Sequence, residues 1–352
     1  MLKNYKRWAQ ALTGVMLLFI GLNAIIWTFF TRDILTFKPY YNGGLDRLGY
    51  IVGSKDYRVP ETTLPRGHIE NRDYQGQHVD VVTIGDSFSN MGSNGRDPLY
   101  QDWIASLYHL EVLNVQTLPG KSQLSTAVIL LNSGYLDKVK PRFLIVETVE
   151  RHCIGDPYEK LDLRQSAGLE VIERYYRTAA FSSHSPETSF VNTGNFKFLM
   201  NNVLYRLSDR AYFSQVYVRE LSTPLFSVKN DRLLLFYWED IYHLRYQSKQ
   251  KIEQFNDDLN GLADRLRAKG IRLLFLPAAD KYNVYRDYIV DNPYPDSRFF
   301  EVLRQLPKHY LFVDTKALLL EEVRKGEKDV YYADDTHWSW KGAKKIAEAM
   351  RF

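Results

Sequence analysis

Short apolar runs that alternate with amphipathic segments constrain the fold of this chain most strongly. Most of the runs are continuously apolar, which is typical of strands buried on both faces. Strands that alternate with helices predict an α/β fold in which a parallel sheet is flanked by helices. The predicted strands are residues 79–84, 111–117, 143–149, 271–276 and 310–314, and the predicted helices are residues 97–107, 125–138, 248–268, 297–305 and 340–350.

The same pattern suggests how the chain is divided. Residues 32–77 are polar and punctuated by glycine and proline, which indicates a connector. The strand–helix pattern then defines one domain over residues 78–352. It is interrupted after the third strand by an irregular stretch rich in Ser, Asn, Tyr and Arg. We interpret about 154–246 as an insertion in that domain.

A long uncharged stretch near the N-terminus predicts a membrane anchor. Lys3, Lys6 and Arg7 precede residues 8–31, which carry no charge. About 20 apolar residues span a bilayer, and basic residues before them favour a cytoplasmic N-terminus. A cleaved signal peptide is the alternative, but the stretch is longer than a usual signal core and no clear cleavage site follows it. We predict that residues 1–31 form a cytoplasmic tip and a single transmembrane helix in the cell inner membrane, with the remaining chain in the periplasm.

Composition argues against several classes of function. A net charge of +4 is too weak to indicate nucleic-acid binding. Cys153 is the single cysteine, so neither an intrachain disulfide nor a cysteine metal cluster is possible. The eight histidines are scattered, without the spacing of a metal site, and there is no glycine-rich phosphate loop. We therefore predict no metal and no cofactor.

Two short motifs carry the candidate chemistry. Gly85-Asp86-Ser87 follows the first predicted strand, and Asp334-Asp335-Thr336-His337 precedes the closing helix. A serine hydroxyl needs a positioned base, itself held by a third group, to act as a nucleophile. Ligands of an open α/β sheet bind beyond the carboxyl ends of the strands. The polar groups at that edge are the candidate site residues: Ser87, His337, Asp335 and Asp334 as catalytic groups, the Ser87 and Gly120 amides as oxyanion donors, and Arg151 and Lys281 as substrate contacts.

Each motif also has a plain structural interpretation. Ser87 is able to cap a helix, and His337 to pack beside Trp338 without a catalytic role. Glu147 and Arg151, four residues apart at a strand end, have the spacing of a structural ion pair. The joint occurrence favours catalysis, because a serine after the first strand and a histidine after the last meet at one edge of a parallel sheet.

The order of the two motifs resembles the SGNH (GDSL-like) hydrolase superfamily. Asp335-Thr336-His337-Trp338 has the form of a signature in its alginate O-acetyltransferase-like branch. The resemblance covers roughly residues 78–352. It implies an SGNH-type sheet, with Ser87 as nucleophile, His337 as general base and Asp335 as orienting carboxylate. The spacing usual in the wider superfamily selects Asp334 instead, so both aspartates stay candidates.

Two departures from the family pattern accompany this resemblance. The Asp–His block follows the serine block here, whereas it usually precedes it in the alginate branch. The asparagine block usual after the third strand is not evident, and residues 147–151 stand there instead.

The resemblance implies an enzyme that handles O-acetyl groups on an exported polysaccharide. Together with the predicted anchor, it favours a membrane-anchored O-acetyltransferase. It also implies a membrane-bound O-acyltransferase as a partner that supplies acetyl groups. An extracytoplasmic acetyl esterase is the second hypothesis. The third is a non-catalytic carbohydrate-binding subunit, for which the many tyrosines of residues 154–246 and Trp238 would serve as sugar-stacking groups.

Overall fold

A six-stranded parallel sheet forms the centre of the computed structural model, which describes residues 2–35, 44–51, 62–90, 97–155, 157–178 and 189–352. The spatial order of the strands is β1-β3-β2-β4-β7-β8. The predicted α/β fold is therefore confirmed, and all five predicted strands are present. The strands of this sheet are β1 (Ile69–Glu70), β2 (Val81–Gly85), β3 (Val112–Gln116), β4 (Phe143–Val149), β7 (Arg272–Ala278) and β8 (Leu311–Phe312); an antiparallel hairpin is made of β5 (Val216–Glu220) and β6 (Leu233–Tyr237).

Helices cover the sheet and explain why its central strands are apolar throughout. Every residue of β2 and of β4 is buried, as expected for parallel strands with helices on both faces. The helices of the described residues are α1 (Leu2–Ile26), α2 (Arg32–Leu35), α3 (Gly44–Gly49), α4 (Ser87–Asn90), α5 (Tyr100–Tyr108), α6 (Gln123–Asn132), α7 (Tyr135–Val139), α8 (Glu150–Cys153), α9 (Leu169–Thr178), α10 (Thr193–Leu204), α11 (Glu239–Tyr242), α12 (Lys249–Arg267), α13 (Lys281–Tyr285), α14 (Phe299–Gln305), α15 (Thr315–Arg324) and α16 (Trp340–Glu348).

Local signals set the ends of these helices. Ser248 and Ser339 cap α12 and α16 through their hydroxyls, which accept N–H groups of Lys251 and Lys341. The single helix predicted for residues 125–138 is wrong in detail. It is divided into α6 and α7, because Gly134 takes a left-handed conformation with φ +80°.

The strand order creates a crevice beside β2. The chain passes from β2 to its neighbour β3 on one side, and later reaches β4 on the other side of β2. Loops that leave β2 and β4 therefore diverge, and such a switch point is where open α/β sheets bind ligands. The segments after these two strands carry Ser87 and Arg151.

The N-terminal helix is long and apolar enough to cross a membrane. The helical stretch Asn4–Thr31 includes α1 and a π-helical turn, Trp27–Thr31, and most of its side chains are exposed. A signal sequence passes the same test of length and composition.

The segments predicted as a connector and an insertion contain ordered elements. Residues 32–77 contribute α3 and the edge strand β1, which pairs with β3. Residues 154–246 contain α9, α10, the β5–β6 hairpin and α11, so the stretch is more regular than its polar composition suggests. Parts of the two predicted segments, residues 36–43, 52–61, 156 and 179–188, lie outside the described residues. The boundaries at 31, 77 and 154–246 stay predictions.

Candidate active site

Ser87 lies at a tight junction between β2 and α4. Gly85 ends the strand, and a side chain there would overlap the Ser89 hydroxyl and the Glu147 carboxyl. The position therefore requires glycine because the backbone approaches its neighbours closely. Ser87 is the first residue of α4, and its Oγ lies 2.8 Å from His337 Nε2.

His337 is held between Ser87 and a carboxylate. Its Nδ1 lies 2.6 Å from Asp335 Oδ1, and its ring packs 4.5 Å from the ring of Phe88. Both His337 and Asp335 are buried. A carboxylate on Nδ1 fixes the imidazole so that Nε2 is able to accept the serine proton. The structure thus brings Ser87, His337 and Asp335 into one hydrogen-bonded chain.

Asp334 has different contacts from Asp335. The Asp334 carbonyl accepts the N–H groups of Leu45 and Asp46, at 3.0 and 3.4 Å. The Asp335 carboxylate receives a further hydrogen bond from the Gly44 N–H, at 3.1 Å to Oδ2. The start of α3 therefore supports both aspartates, but Asp335 is the one whose carboxylate contacts the histidine.

Lys281 holds the loop that carries these residues. Its Nζ donates to the carbonyls of Tyr332, Ala333 and Asp335 at 2.7–3.0 Å. An ammonium has three donors, so all of them are used inside the protein, and the side chain is fully buried. The prediction that Lys281 contacts substrate is therefore corrected, and its place in the structure is that of a positioning residue for the loop.

Burial lowers the pKa of Lys281 to about 7, although the carboxylates of Asp334, Asp335, Asp240 and Asp46 oppose this change. From about pH 7 to the ordinary lysine value of 10.5, the unfolded chain binds more protons than the folded one. The free energy of unfolding therefore gains a contribution that rises with pH over this range. We expect Lys281→Met to remove that contribution. The Tm of the wild type minus the Tm of the variant should therefore increase with pH.

Thermal unfolding of both proteins in one detergent, at about pH 7 and about pH 9.5, measures this growth. Lys344→Met is the matched control, because Lys344 lies on the surface of α16. A Tm difference for Lys281→Met that stays constant with pH would contradict the expectation.

Arg151 forms ion pairs with acidic residues other than Glu147, the partner that its sequence spacing suggested. Its Nη1 lies 2.5 Å from Asp280 Oδ1 and 3.3 Å from Asp240 Oδ1, and the side chain is buried. The alternative of an ion pair with Glu147 is wrong. The prediction that Arg151 contacts substrate is therefore corrected. The buried guanidinium instead joins α8 to the residues that follow β6 and β7.

Glu147 is a supporting residue that sequence reasoning placed in the wrong pair. Its Oε2 accepts hydrogen bonds from the Asp86 N–H at 2.9 Å and the Ser89 hydroxyl at 2.8 Å. Burial raises the pKa of Glu147 well above its usual value, and the Asp86 charge adds to the effect. Its position near the carboxyl end of a buried strand, beside the switch point, is the sequence feature that could have identified Glu147 as part of the site.

Asp86 joins the two strands that flank the crevice. One carboxylate oxygen accepts the Phe88 N–H within the nucleophile turn, at 3.0 Å. The other accepts the Val149 N–H at the end of β4, at 2.7 Å. The aspartate of the Gly-Asp-Ser motif therefore fixes the turn that bears Ser87 against the neighbouring strand.

Gly120 lies in the turn after β3 with φ +67°, and its α-carbon faces open space. It borders a cavity of about 500 Å³ whose lining also includes Thr148 and His152. Ser87 and His337 are not among the lining residues of that cavity. The second oxyanion donor therefore stays a prediction.

Within the described residues, no group of three or more His, Cys, Asp or Glu side chains is arranged to hold a metal ion.

The comparison with known protein families bears on the C-terminal part of this site. Residues 232–351 match the SGNH hydrolase-like domain of the acetyltransferase AlgX. The resemblance to the alginate O-acetyltransferase-like branch is therefore confirmed over this part of the chain. The AlgX-like segment contains Lys281, Asp334, Asp335 and His337, whereas Ser87, Gly120 and Arg151 lie before it. No curated protein matches the chain. The AlgX match supports a function related to acyl transfer.

Proposed function

We propose that this protein is a membrane-anchored, extracytoplasmic O-acetyltransferase that acts on an exported polysaccharide. The observation that carries the proposal is the chain of hydrogen bonds from Ser87 through His337 to Asp335, with distances of 2.8 and 2.6 Å. This arrangement suits an acyl-enzyme mechanism, because each group has the neighbour that its role requires.

The first half of the proposed reaction acetylates the enzyme. Ser87 Oγ attacks the carbonyl carbon of the donor's acetyl group while its proton passes to His337 Nε2. Asp335 stabilises the imidazolium through Nδ1–H. The tetrahedral oxyanion is held by the Ser87 amide together with Gly120. The donor's leaving oxygen then takes the proton from His337 as its bond to the acetyl carbon breaks.

The second half transfers the acetyl group. A sugar hydroxyl gives its proton to His337 and attacks the acetyl carbon, and the bond to Ser87 Oγ breaks as the serine regains a proton. Water in place of the sugar would make the enzyme an esterase. Transfer is favoured because the matching family is described as an acetyltransferase. A membrane anchor also suits a partner, a membrane-bound O-acyltransferase, that delivers acetyl groups at the bilayer.

The full-length protein in detergent, mixed with p-nitrophenyl acetate, tests the acyl-enzyme. We expect a burst of p-nitrophenol equal to the enzyme concentration and an acetyl group on the peptide that contains Ser87. Oligomannuronate and cello-oligosaccharides, added afterwards as acceptors, should speed the loss of this acetyl group and appear acetylated by mass spectrometry.

The other outcomes separate the competing functions. Release of the acetyl group only as acetate, at a rate that no acceptor changes, would favour an esterase. Binding of an oligosaccharide without any acetyl-enzyme would favour a carbohydrate-binding subunit and would contradict the proposed mechanism.

A further inference from the structure

Helix α10 has an apolar face that points away from the protein. Phe196, Leu199, Met200 and Val203 are 41–60% exposed, and their spacing places them along one side of the helix. A surface helix of a water-soluble domain turns such a face towards the core. Here the opposite side is buried, through Asn195, Phe198 and Asn201.

Helix α10 packs partly against the N-terminal helix, through its buried side and through Phe196 at the edge of its apolar face. The rings of Phe196 and Phe19 are 6.0 Å apart, and those of Phe198 and Phe30 are stacked at 5.1 Å. The Asn195 amide donates to Asn23 Oδ1 at 2.9 Å and accepts the Thr31 hydroxyl at 2.5 Å. Polar side chains within a bilayer need such partners. These contacts join α10 to the helix proposed as the anchor.

The contact with Phe19 sets the depth of α10. Phe19 precedes Thr31, the end of the apolar stretch, by twelve residues, which is about 18 Å along a helix. The hydrocarbon core of a bilayer is about 30 Å thick. A helix that touches both Phe19 and Phe30 therefore lies at the level of the acyl chains when the N-terminal helix spans the membrane.

The composition of α10 suits that level. Lys197 is the single charged residue in Thr193–Leu204, and a lysine side chain is long enough to carry its charge to the lipid head groups. The neighbouring α9 differs, since it has charged residues at Glu170, Glu173, Arg174 and Arg177. Of these two helices, the one that contacts the N-terminal helix is the one with few charges and an exposed apolar face.

We propose that α10 is embedded in the bilayer beside the anchor, in the leaflet from which the catalytic domain emerges. Phe196, Leu199, Met200 and Val203 contact lipid acyl chains there. Away from this lipid-facing side, the C-terminal half of α10 contacts the domain, where the Asn201 and Asn202 amides donate to the carbonyls of Gly49 and Tyr50 at 3.1 Å. The domain is therefore attached to the membrane at two adjacent helices.

Nitroxide labels on the full-length chain test this placement. Cysteine replaces Phe196, Met200 or Val203 singly, in a Cys153→Ser background, and the labelled proteins are reconstituted in vesicles of phosphatidylethanolamine and phosphatidylglycerol. Val171→Cys is the matched control, because Val171 is 54% exposed on α9. Molecular oxygen concentrates in the bilayer and a nickel chelate stays in water, so we expect oxygen-to-nickel collision ratios several-fold higher on α10 than at Val171.

Two results would overturn the proposal. Ratios on α10 equal to that at Val171 would place the helix in water. Labels protected from both reagents would show that a second copy of the chain or another protein covers the face. Neither result depends on acetyl chemistry, so the outcome is independent of the proposed enzymatic function.

Discussion

Ser87→Ala is expected to abolish acetyl-enzyme formation and to lower kcat for an acetyl ester by about 10⁴-fold or more. The hydroxyl removed is the one that lies 2.8 Å from His337 Nε2. We expect Tm to change little, because this side chain is only partly buried at the crevice. Burst kinetics and thermal unfolding of the same preparation measure both effects.

Ser89→Ala is the matched control, two residues away in the same short helix. Ser89 is fully buried, and its hydroxyl bonds to Glu147 and Tyr100 at 2.8 and 3.0 Å. Its removal breaks two buried hydrogen bonds, which costs about 1–3 kcal/mol. We expect a lower Tm but persistent acetylation of the enzyme. The opposite pattern, with Ser87→Ala active and Ser89→Ala inactive, would refute the assignment of the nucleophile.

The second large effect is expected from Asp335→Asn. The carboxylate that accepts from His337 Nδ1 at 2.6 Å becomes an amide, which favours the wrong tautomer of the imidazole. In a triad of this type the loss in kcat is about 10⁴-fold. We expect the burst of p-nitrophenol to become correspondingly slow, while circular dichroism stays that of the wild type.

Asp334→Asn distinguishes the two adjacent aspartates. The Asp334 charge acts on the Lys281 ammonium, where it raises the lysine pKa more than any other charge does. We therefore expect Asp334→Asn to change the pH dependence of Tm and to lower kcat by no more than about 10-fold. Equal losses of kcat in both variants would show that the orienting role is not confined to Asp335.

The sequence sufficed to predict five of the six strands of the sheet and the proximity of Ser87 to His337. Continuously apolar runs identify buried parallel strands, and the carboxyl ends of such strands share one edge. The choice between Asp334 and Asp335 depended on the conformation of the turn before His337, because a shift of one residue redirects the side chain. No periodic pattern encodes that turn.

Burial of charged side chains was the other feature that sequence left open. Lys281 and Arg151 follow strand ends, where exposed substrate contacts are common, yet both are covered by segments from distant parts of the chain. The carbonyls of Tyr332, Ala333 and Asp335 accept hydrogen bonds from Lys281. Asp240 and Asp280 form ion pairs with Arg151. Such pairings depend on tertiary packing, which overrides the expectation from local position.

With the N-terminal helix as the proposed anchor, the hydrogen bond from Gly44 to Asp335 limits the distance between this carboxylate and the membrane. Nine peptide steps join Leu35, the last residue of α2, to Gly44, and a chain of that length spans at most about 32 Å. The proposed catalytic carboxylate is therefore tethered within about one hydrocarbon thickness of Leu35. Under the proposed function, a polymer that receives acetyl groups from Ser87 would therefore have to pass close to the bilayer surface.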